Sequence, residues 1–212
     1  MGSAKPDVEE EVRGRVQRGD RDGATTAALR GYGPEVLEFL AALHRDETEG
    51  GEVFALFAEQ VWRGLDRFAW ESSLRTWLYA VARRCSLRCR RDGRRRAARE
   101  EALPEGSSAS ILVQKLRSQT GSLYRTEGRS RVAALRDSLP DADQALLMLR
   151  VDRQLAWNEL AQVLHEGEEP LEAEGIKRES ARLRKRFQLV KEKLHELARE
   201  AGLVAGGGRA PS

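Results

Sequence analysis

The most informative segment of this chain is residues 61–96, VWRGLDRFAWESSLRTWLYAVARRCSLRCRRDGRRR. It begins with large aromatic residues, including three of the four tryptophans, and ends in a run of arginines. Residues 83–99 contain nine arginines and one acidic residue, Asp92. Aromatic side chains beside a dense positive face are typical of a surface that holds a phosphate backbone and stacks on bases. The segment therefore predicts contact with nucleic acid.

The distribution of charge says more than the net charge, which is only +3. Acidic residues gather at 7–11, 46–52 and 166–174, and basic residues gather at 83–99 and 177–193. Two separate basic blocks are expected of a nucleic-acid binder with two contact sites. Two solvated helix faces are the plainer alternative.

Composition predicts an all-α fold. The 212 residues are 40% hydrophobic, 33% charged and 6% aromatic, which allows one or two small domains with a modest core. Ala, Leu, Arg and Glu dominate and favour helices, while alternating runs of Val, Ile and Thr are nearly absent. We predict two small helical domains joined by a flexible linker, the C-terminal one a helix-turn-helix.

Apolar residues at three- and four-residue spacing fall into two blocks, separated by a stretch rich in Gly, Ser and Pro. The predicted division is a disordered N terminus (1–8), an N-terminal helical domain (9–97), a linker (98–127), a C-terminal helical domain (128–201) and a disordered tail (202–212).

Local signals divide the N-terminal domain further. Gly31 and Pro34 predict the end of one helix and the first turn of the next. Residues 45–51 are expected to form an acidic loop before a helix over 52–64. After a loop over 65–71, Ser72 or Ser73 is expected to cap the helix that continues into the arginines.

The C-terminal domain contains an unusual acidic segment, residues 165–180, between two predicted helices. Pro170 and Gly175 interrupt it. Three interpretations stay open: an N-terminal extension of the last helix, a flap over the basic surface, and a contact with a partner.

Catalytic chemistry is not predicted. The three histidines, His44, His165 and His195, are scattered, and no phosphate-binding glycine loop, metal-ligand cluster or nucleophile motif is present. We therefore expect no enzyme, no cofactor and no metal.

Several features predict a cytoplasmic protein without membrane insertion. No apolar run approaches the ~20 residues of a membrane span, and the first residues lack a signal-peptide core. Cys85 and Cys89 have no second Cys/His pair nearby, so we expect two small apolar residues in a reducing compartment. A redox or metal role is the alternative.

Three short sequence motifs within residues 61–96 are similar to motifs of a known family: Asp66-Arg67-Phe68, ESSLRTWLY (71–79) and Ala82-Arg83. They resemble the promoter-melting region of bacterial RNA polymerase sigma factors of the sigma-70 family, extracytoplasmic-function type. LAWNELAQVL (155–164) resembles the first helix of that family's helix-turn-helix, and ARLRKRF (181–187) its recognition helix. The resemblance covers residues 9–200.

The resemblance implies a sigma factor that binds core RNA polymerase and directs promoter recognition, DNA melting and transcription initiation. Residues 9–97 would be sigma region 2 and residues 128–201 sigma region 4. Core RNA polymerase, promoter DNA and an anti-sigma factor are the implied partners. An autonomous helix-turn-helix regulator and a polymerase-binding sigma-like decoy remain the alternatives.

Three sets of site residues are carried over by resemblance. Those implied to bind the minus-ten element are Arg67, Phe68, Trp70, Ser72, Ser73, Arg75, Arg83, Arg84, Arg88 and Arg91. Those implied to bind the minus-thirty-five element are Lys177, Arg178, Arg182, Arg184, Lys185 and Arg186. Those implied to contact core polymerase are Glu52, Ala55, Leu56 and Glu59.

The chain departs from the family at three places. Arg84 stands where many members carry asparagine, and Ala55 and Leu56 stand where a Gln-Glu pair is usual. The short turn between the last two helices is replaced by the acidic segment 165–180.

Overall fold

The computed structural model describes residues 5–92, 103–123, 131–167 and 170–203. Its regular elements are all helical, so the prediction of an all-α fold is confirmed for these residues. The helices are α1 (Pro6–Gln17), α2 (Arg21–His44), α3 (Glu47–Gly64), α4 (Leu74–Asp92), α5 (Ser108–Leu123), α6 (Arg131–Asp137), α7 (Asp141–Leu147), α8 (Trp157–Leu164) and α9 (Ala173–Glu200), with a 3-10 turn at Leu65–Arg67 and a π-helical turn at Met148–Asp152.

Helix α2 is the centre of the N-terminal half (α1–α5), and α6–α9 form the C-terminal half. It packs against α1, α3, α4 and α5, and buries Tyr32, Phe39 and Leu40 completely or almost so. The predicted break at Gly31 and Pro34 is wrong, because α2 continues through both residues. Proline inside a helix costs about 3 kcal/mol. The packing of α1, α3, α4 and α5 against α2 stabilises the helix by more than this local cost.

Close approach of neighbouring helices depends on glycines. A Cβ atom at Gly50 of α3 would lie 2.5 Å from Ala41 Cα of α2, and one at Gly33 would lie 2.9 Å from the Leu116 side chain of α5. The predicted acidic loop over 45–51 is correct only at its start, because α3 begins at Glu47. The Asp46 carboxylate caps that helix by accepting a hydrogen bond from Glu49 N at 2.8 Å.

The predicted disorder of residues 1–8 is wrong for residues 6–8. Helix α1 begins at Pro6, where proline suits the first turn and acidic residues complement the helix dipole. Val8 packs against Gly31, and Lys5 N donates a hydrogen bond to Tyr32 Oη at 2.8 Å. Residues 1–4 lie outside the described residues.

The predicted linker contains a packed helix. Ala109 and Val113 of α5 are buried, and Ser108 N and Ala109 N donate to the Asp22 carboxylate at 3.2 and 3.3 Å. Residues 103–123 are therefore held on α2 and α3. The rest of the predicted linker, 98–102 and 124–127, lies outside the described residues, as does the tail from 204 onward.

The C-terminal half is built on the pairing of α8 with α9. Leu160 and Ala161 of α8 and Leu183 of α9 are buried, and Trp157 meets Phe187 edge to face at 5.7 Å. These residues belong to the same buried cluster as the core of α2, α3 and α4. Within the described residues, the two halves therefore share a continuous apolar core.

A buried polar group joins three helices of the N-terminal half. His44 of α2 lies between Ser86 Oγ of α4, at 2.9 Å from Nε2, and Glu49 Oε1 of α3, at 3.3 Å from Nδ1. Ser86 is fully buried, so this Ser-His-Glu arrangement connects helices and offers no access to a substrate.

Substitution of Gly50 by alanine tests the α2–α3 approach. Gly50→Ala should lower the free energy of unfolding by about 2 kcal/mol, because the new methyl group meets backbone atoms of Ala41. Gly51→Ala is the matched control, since its Cβ atom meets only the flexible Arg117 side chain and should gain up to about 1 kcal/mol of helix propensity. Urea unfolding measures both. Equal stabilisation by the two substitutions would contradict the packing.

The stability should depend on pH through His44. Burial and, after it, the Arg90 charge lower the pKa of His44, while Glu49 opposes them. Because the unfolded chain binds the proton that the folded chain disfavours, stability is lost as pH falls through the unfolded value of about 6.5. Between pH 7.5 and 5.5 we expect a loss of about 1 kcal/mol that His44→Gln lacks. His195→Gln, at an exposed site, should retain the loss; an identical pH profile for His44→Gln and wild type would exclude this origin.

Candidate nucleic-acid interface

The loop between α3 and α4 is organised by an aromatic stack of three rings, in which Phe68 and Trp77 are stacked at 26° and Phe68 and Trp70 are tilted at 43°. Phe68 lies in the middle, with its ring centre 4.7 Å from that of Trp70 and 5.0 Å from that of Trp77. All three side chains are half-buried and pack against the core cluster. The stack gives the loop a firm apolar base.

Helix α1 holds the outer end of this stack. The Arg13 guanidinium lies 4.4 Å from the centre of the Trp70 ring, a cation–π arrangement. Trp70 has a φ of 61°, which is uncommon for a large side chain and costs on the order of 1–3 kcal/mol. The Glu9 carboxylate accepts a hydrogen bond from Leu74 N at the start of α4. Sequence reasoning missed α1 as part of the site, because no motif connects Glu9 and Arg13 with the loop.

Serine capping of α4 is confirmed for Ser73. Its hydroxyl accepts a hydrogen bond from Thr76 N at 3.1 Å, as an N-cap side chain does. Ser72 donates instead to the Ser73 carbonyl at 3.3 Å. Both serines are half-buried at the base of the loop.

A cavity of about 320 Å³ opens beside the aromatic stack. Its near wall consists of Arg67, Phe68, Trp77, Ala80 and Arg84, from the loop and α4. Its far wall consists of Gln162, His165, Leu171 and Ile176, from α8, the acidic segment and α9. A larger cavity of about 450 Å³ between α2, α3 and α5 contains none of the predicted site residues.

Of the three interpretations of the acidic segment 165–180, the N-terminal extension of the last helix holds for part of the segment. Helix α9 begins at Ala173, so the segment extends the last helix at its N terminus. Leu171 and Ile176 also pack against the core cluster. Residues 168 and 169 lie outside the described residues.

The predicted minus-ten arginines separate into an exposed group and a buried group. Arg67, Arg84, Arg88 and Arg91 are exposed. Arg75 is 3% exposed and is bound to the Glu35 carboxylate at 2.9 and 3.1 Å and to the Arg153 carbonyl at 3.0 Å. Although burial opposes it, the bond to Glu35 leaves the pKa of Arg75 raised. In this arrangement Arg75 connects helices.

Arg83 is also buried, but it is poorly compensated. It is 4% exposed, and in the described part of the chain its Nη1 atom has no hydrogen-bond partner. Burial and, after it, the nearby Arg90 charge lower the pKa of Arg83, with Glu166 opposing and Arg186 acting in the same direction. A buried guanidinium nitrogen without a hydrogen-bond partner is costly.

Helix α9 presents most of the predicted minus-thirty-five residues to solvent. Lys177, Arg178, Arg182, Arg184 and Lys185 are exposed. Arg182 is paired with Glu179 at 2.6 Å, which raises the pKa of Arg182. Arg186 points toward α7, where its Nε lies 2.6 Å from Asp143 Oδ1.

The predicted polymerase contacts share one face of α3. Glu52 is exposed, while Ala55, Leu56 and Glu59 are half-buried. The spacing of three and four residues places all four on one side of the helix. Val53 and Phe57 face the core from the other side.

Two cysteines lie on α4. Cys85 and Cys89 are free thiols, and burial raises the pKa of Cys85 to about 12, which keeps it protonated. Among the described residues, no group of three or more His, Cys, Asp or Glu side chains converges as metal ligands do. No helix in the described ranges combines the length and apolar character needed to cross a membrane.

Comparison of this chain with models of known protein families and with curated proteins gives no match. The function therefore has to be inferred from the residues and their geometry.

Arg75 and Arg84 provide a test of the division of the predicted minus-ten arginines into a buried group and an exposed group. Arg75→Ala should lower the free energy of unfolding by about 3 kcal/mol, because it leaves the Glu35 carboxylate without its partner. Arg84→Ala should change stability by less than about 0.5 kcal/mol, as exposed substitutions usually do, and should weaken binding of single-stranded DNA. Urea unfolding and fluorescence anisotropy measure the two effects. If Arg84→Ala lowered the stability and Arg75→Ala weakened only the binding of DNA, the placement of these side chains would be contradicted.

Proposed function

We propose that the protein is a sigma factor of the extracytoplasmic-function type, which binds core RNA polymerase, recognises promoter DNA and melts it. The observation that carries the proposal is the aromatic-walled cavity beside α4, with Arg67 and Arg84 on the same wall. Unstacking a base costs a few kcal/mol, and a pocket that stacks the extruded base beside cations that hold the backbone compensates that cost.

The near wall of the cavity supports binding of single-stranded DNA. Phe68 and Trp77 offer aromatic surface, and Ser72 offers a hydroxyl group at the cavity edge. Arg88 and Arg91 continue the positive surface along α4. Arg84, which replaces the asparagine common in the family, would contact a base edge or the backbone at this wall.

The α8–α9 pair supports recognition of duplex DNA as a helix-turn-helix. Ser180 Oγ donates to the Trp157 carbonyl at 3.1 Å, and Leu183 packs between the helices. Arg178, Arg182 and Lys185 then follow one another on an exposed face of α9. A recognition helix places such residues in the major groove, where arginine binds guanine bidentately.

One observation favours an autonomous DNA-binding regulator as the second candidate. The basic face of α9 is exposed in the free chain, so duplex DNA can reach it without polymerase. That function leaves the aromatic cavity and the α3 face of Glu52, Ala55, Leu56 and Glu59 without a role.

Run-off transcription with purified core polymerase tests the proposal. The template carries the DNA upstream of the chain's own coding sequence, and a defined transcript should require the protein. Arg182→Ala should reduce the transcript by about 5- to 150-fold if Arg182 reads a base, which corresponds to about 1–3 kcal/mol.

Arg186→Ala is the matched control, because Arg186 is bound to Asp143 and should affect stability more than transcription. No binding to core polymerase, together with tight binding to duplex DNA alone, would replace the sigma function by the autonomous regulator. Stable binding to core polymerase without a transcript would favour the decoy.

A further inference from the structure

We propose that the C-terminal helices α7–α9 cover the single-strand-binding surface of α4 in the free protein, so that the chain inhibits itself. The proposal rests on the proposed function in one respect, since the covered surface is the one assigned there to melted DNA. Opening of the contact between the two halves is then the step that exposes the surface.

The cover is direct. Helix α8 packs along α4, and Thr76 Oγ1 donates a hydrogen bond to Glu159 Oε1 at 3.0 Å. The far wall of the aromatic cavity, including Gln162, Leu171 and Ile176, comes entirely from this half of the chain. A base that enters between Phe68 and Arg84 therefore meets side chains of α8 and of the segment before α9.

The burial of Arg83 indicates that α4 also functions in an open arrangement, in which the C-terminal half does not cover it. The guanidinium lies under the C-terminal half, with Arg90, Glu166 and Arg186 as neighbouring charges, and its Nη1 lacks a hydrogen-bond partner among the described residues. A phosphate oxygen is a suitable acceptor for this nitrogen. The contact between the halves thus leaves one donor of Arg83 unsatisfied that DNA can satisfy, which favours opening in the presence of DNA.

In addition to the shared apolar core and the hydrogen bond from Arg75 to the Arg153 carbonyl, accessible ion pairs hold the edges of the contact. Arg153 Nη2 lies 2.9 Å from Glu38 Oε2, with side-chain exposures of 21% and 40%. Arg90 of α4 is paired with Asp141 of α7, with exposures of 26% and 49%. Pairs of this kind contribute modestly and reversibly, as a contact that must open requires. Glu35 also faces Arg153, so an acidic residue at position 153 would meet two carboxylates.

Charge exchange across the Arg153–Glu38 pair tests the proposal. Arg153→Glu and Glu38→Arg each place like charges together, and the double variant restores an opposite pair. The affinity for a fluorescent single-stranded oligonucleotide is measured by anisotropy, and the radius of gyration of the DNA-free protein by small-angle scattering. Circular dichroism verifies that each variant is folded.

Each single variant should expand and bind single-stranded DNA about three- to tenfold more tightly, because more of the chain is in the competent form. The double variant should recover most of the compaction and of the low affinity of wild type, but not all of it, because Glu35 still faces position 153. The prediction for Arg153→Glu is the decisive one, since this variant gains DNA affinity while it loses positive charge. Arg30→Glu, with the same charge change at an exposed residue, should bind no more tightly than wild type.

The proposal is overturned if affinity follows net charge alone, if expansion leaves affinity unchanged, or if the double variant fails to restore closure. Should a single variant lose helix, Asp141→Arg breaks the other ion pair and takes its place. Failure of the sigma function is distinguishable. If the charge-exchange variants behave as expected but no transcript forms, self-inhibition is kept and the sigma function is excluded. If a transcript forms but the variants do not behave as expected, the sigma function is kept and self-inhibition is excluded.

Discussion

The buried guanidinium of Arg75 is the interaction on which the relative positions of the helices depend. It binds the Glu35 carboxylate of α2, donates to the Arg153 carbonyl just before α8, and lies 5.4 Å from the centre of the Tyr79 ring. A buried charge must keep its partners, or the cost of removing it from water is not compensated. Because those partners come from both halves of the chain, Arg75 connects α2 and α4 with the segment before α8 in the closed form, and opening has to break its hydrogen bond to the Arg153 carbonyl.

Helix α4 consequently has one surface that contacts the C-terminal half and another that faces solvent. One surface, with Thr76, Ala80 and Arg83, lies against the C-terminal half. The other carries Arg84, Arg88 and Arg91 into solvent. The cavity lies where the two surfaces meet, so under the proposed function DNA that uses the whole helix would have to compete with the contact between the halves. Such competition would supply specificity, because only a ligand that contributes enough binding energy would open the surface.

Patterns of neighbouring residues predicted the helical class and a serine cap of α4, at Ser72 or Ser73, and left the start of the last helix open among three interpretations. They failed where distant packing determines the outcome. Pro34 predicts a break, yet α2 continues because other helices surround it. Residues 108–123 contain Gly and Ser and resemble a linker, yet they pack on α2, which Gly33 makes accessible.

The candidate site was predictable in kind and incompletely in geometry. Phe68 and Arg84, both in the set implied by resemblance, line the same cavity, and Trp77, which is not in that set, lines it with them. The sequence does not distinguish buried from exposed arginines on α4, since Arg83 and Arg84 are adjacent and their fates depend on residues about 80 positions away. The far wall of the cavity comes from the acidic segment, for which no local rule specifies a partner.

The most direct test of the account is a distance distribution between spin labels on Arg30, near the middle of α2, and Leu189, exposed on α9. Both positions are changed to cysteine after Cys85 and Cys89 are replaced by alanine. The account predicts one narrow distribution for the free protein and a longer one when core polymerase and promoter DNA are added. An unchanged distribution in a complex that forms and transcribes would contradict the claim that the surface of α4 is covered before it binds DNA.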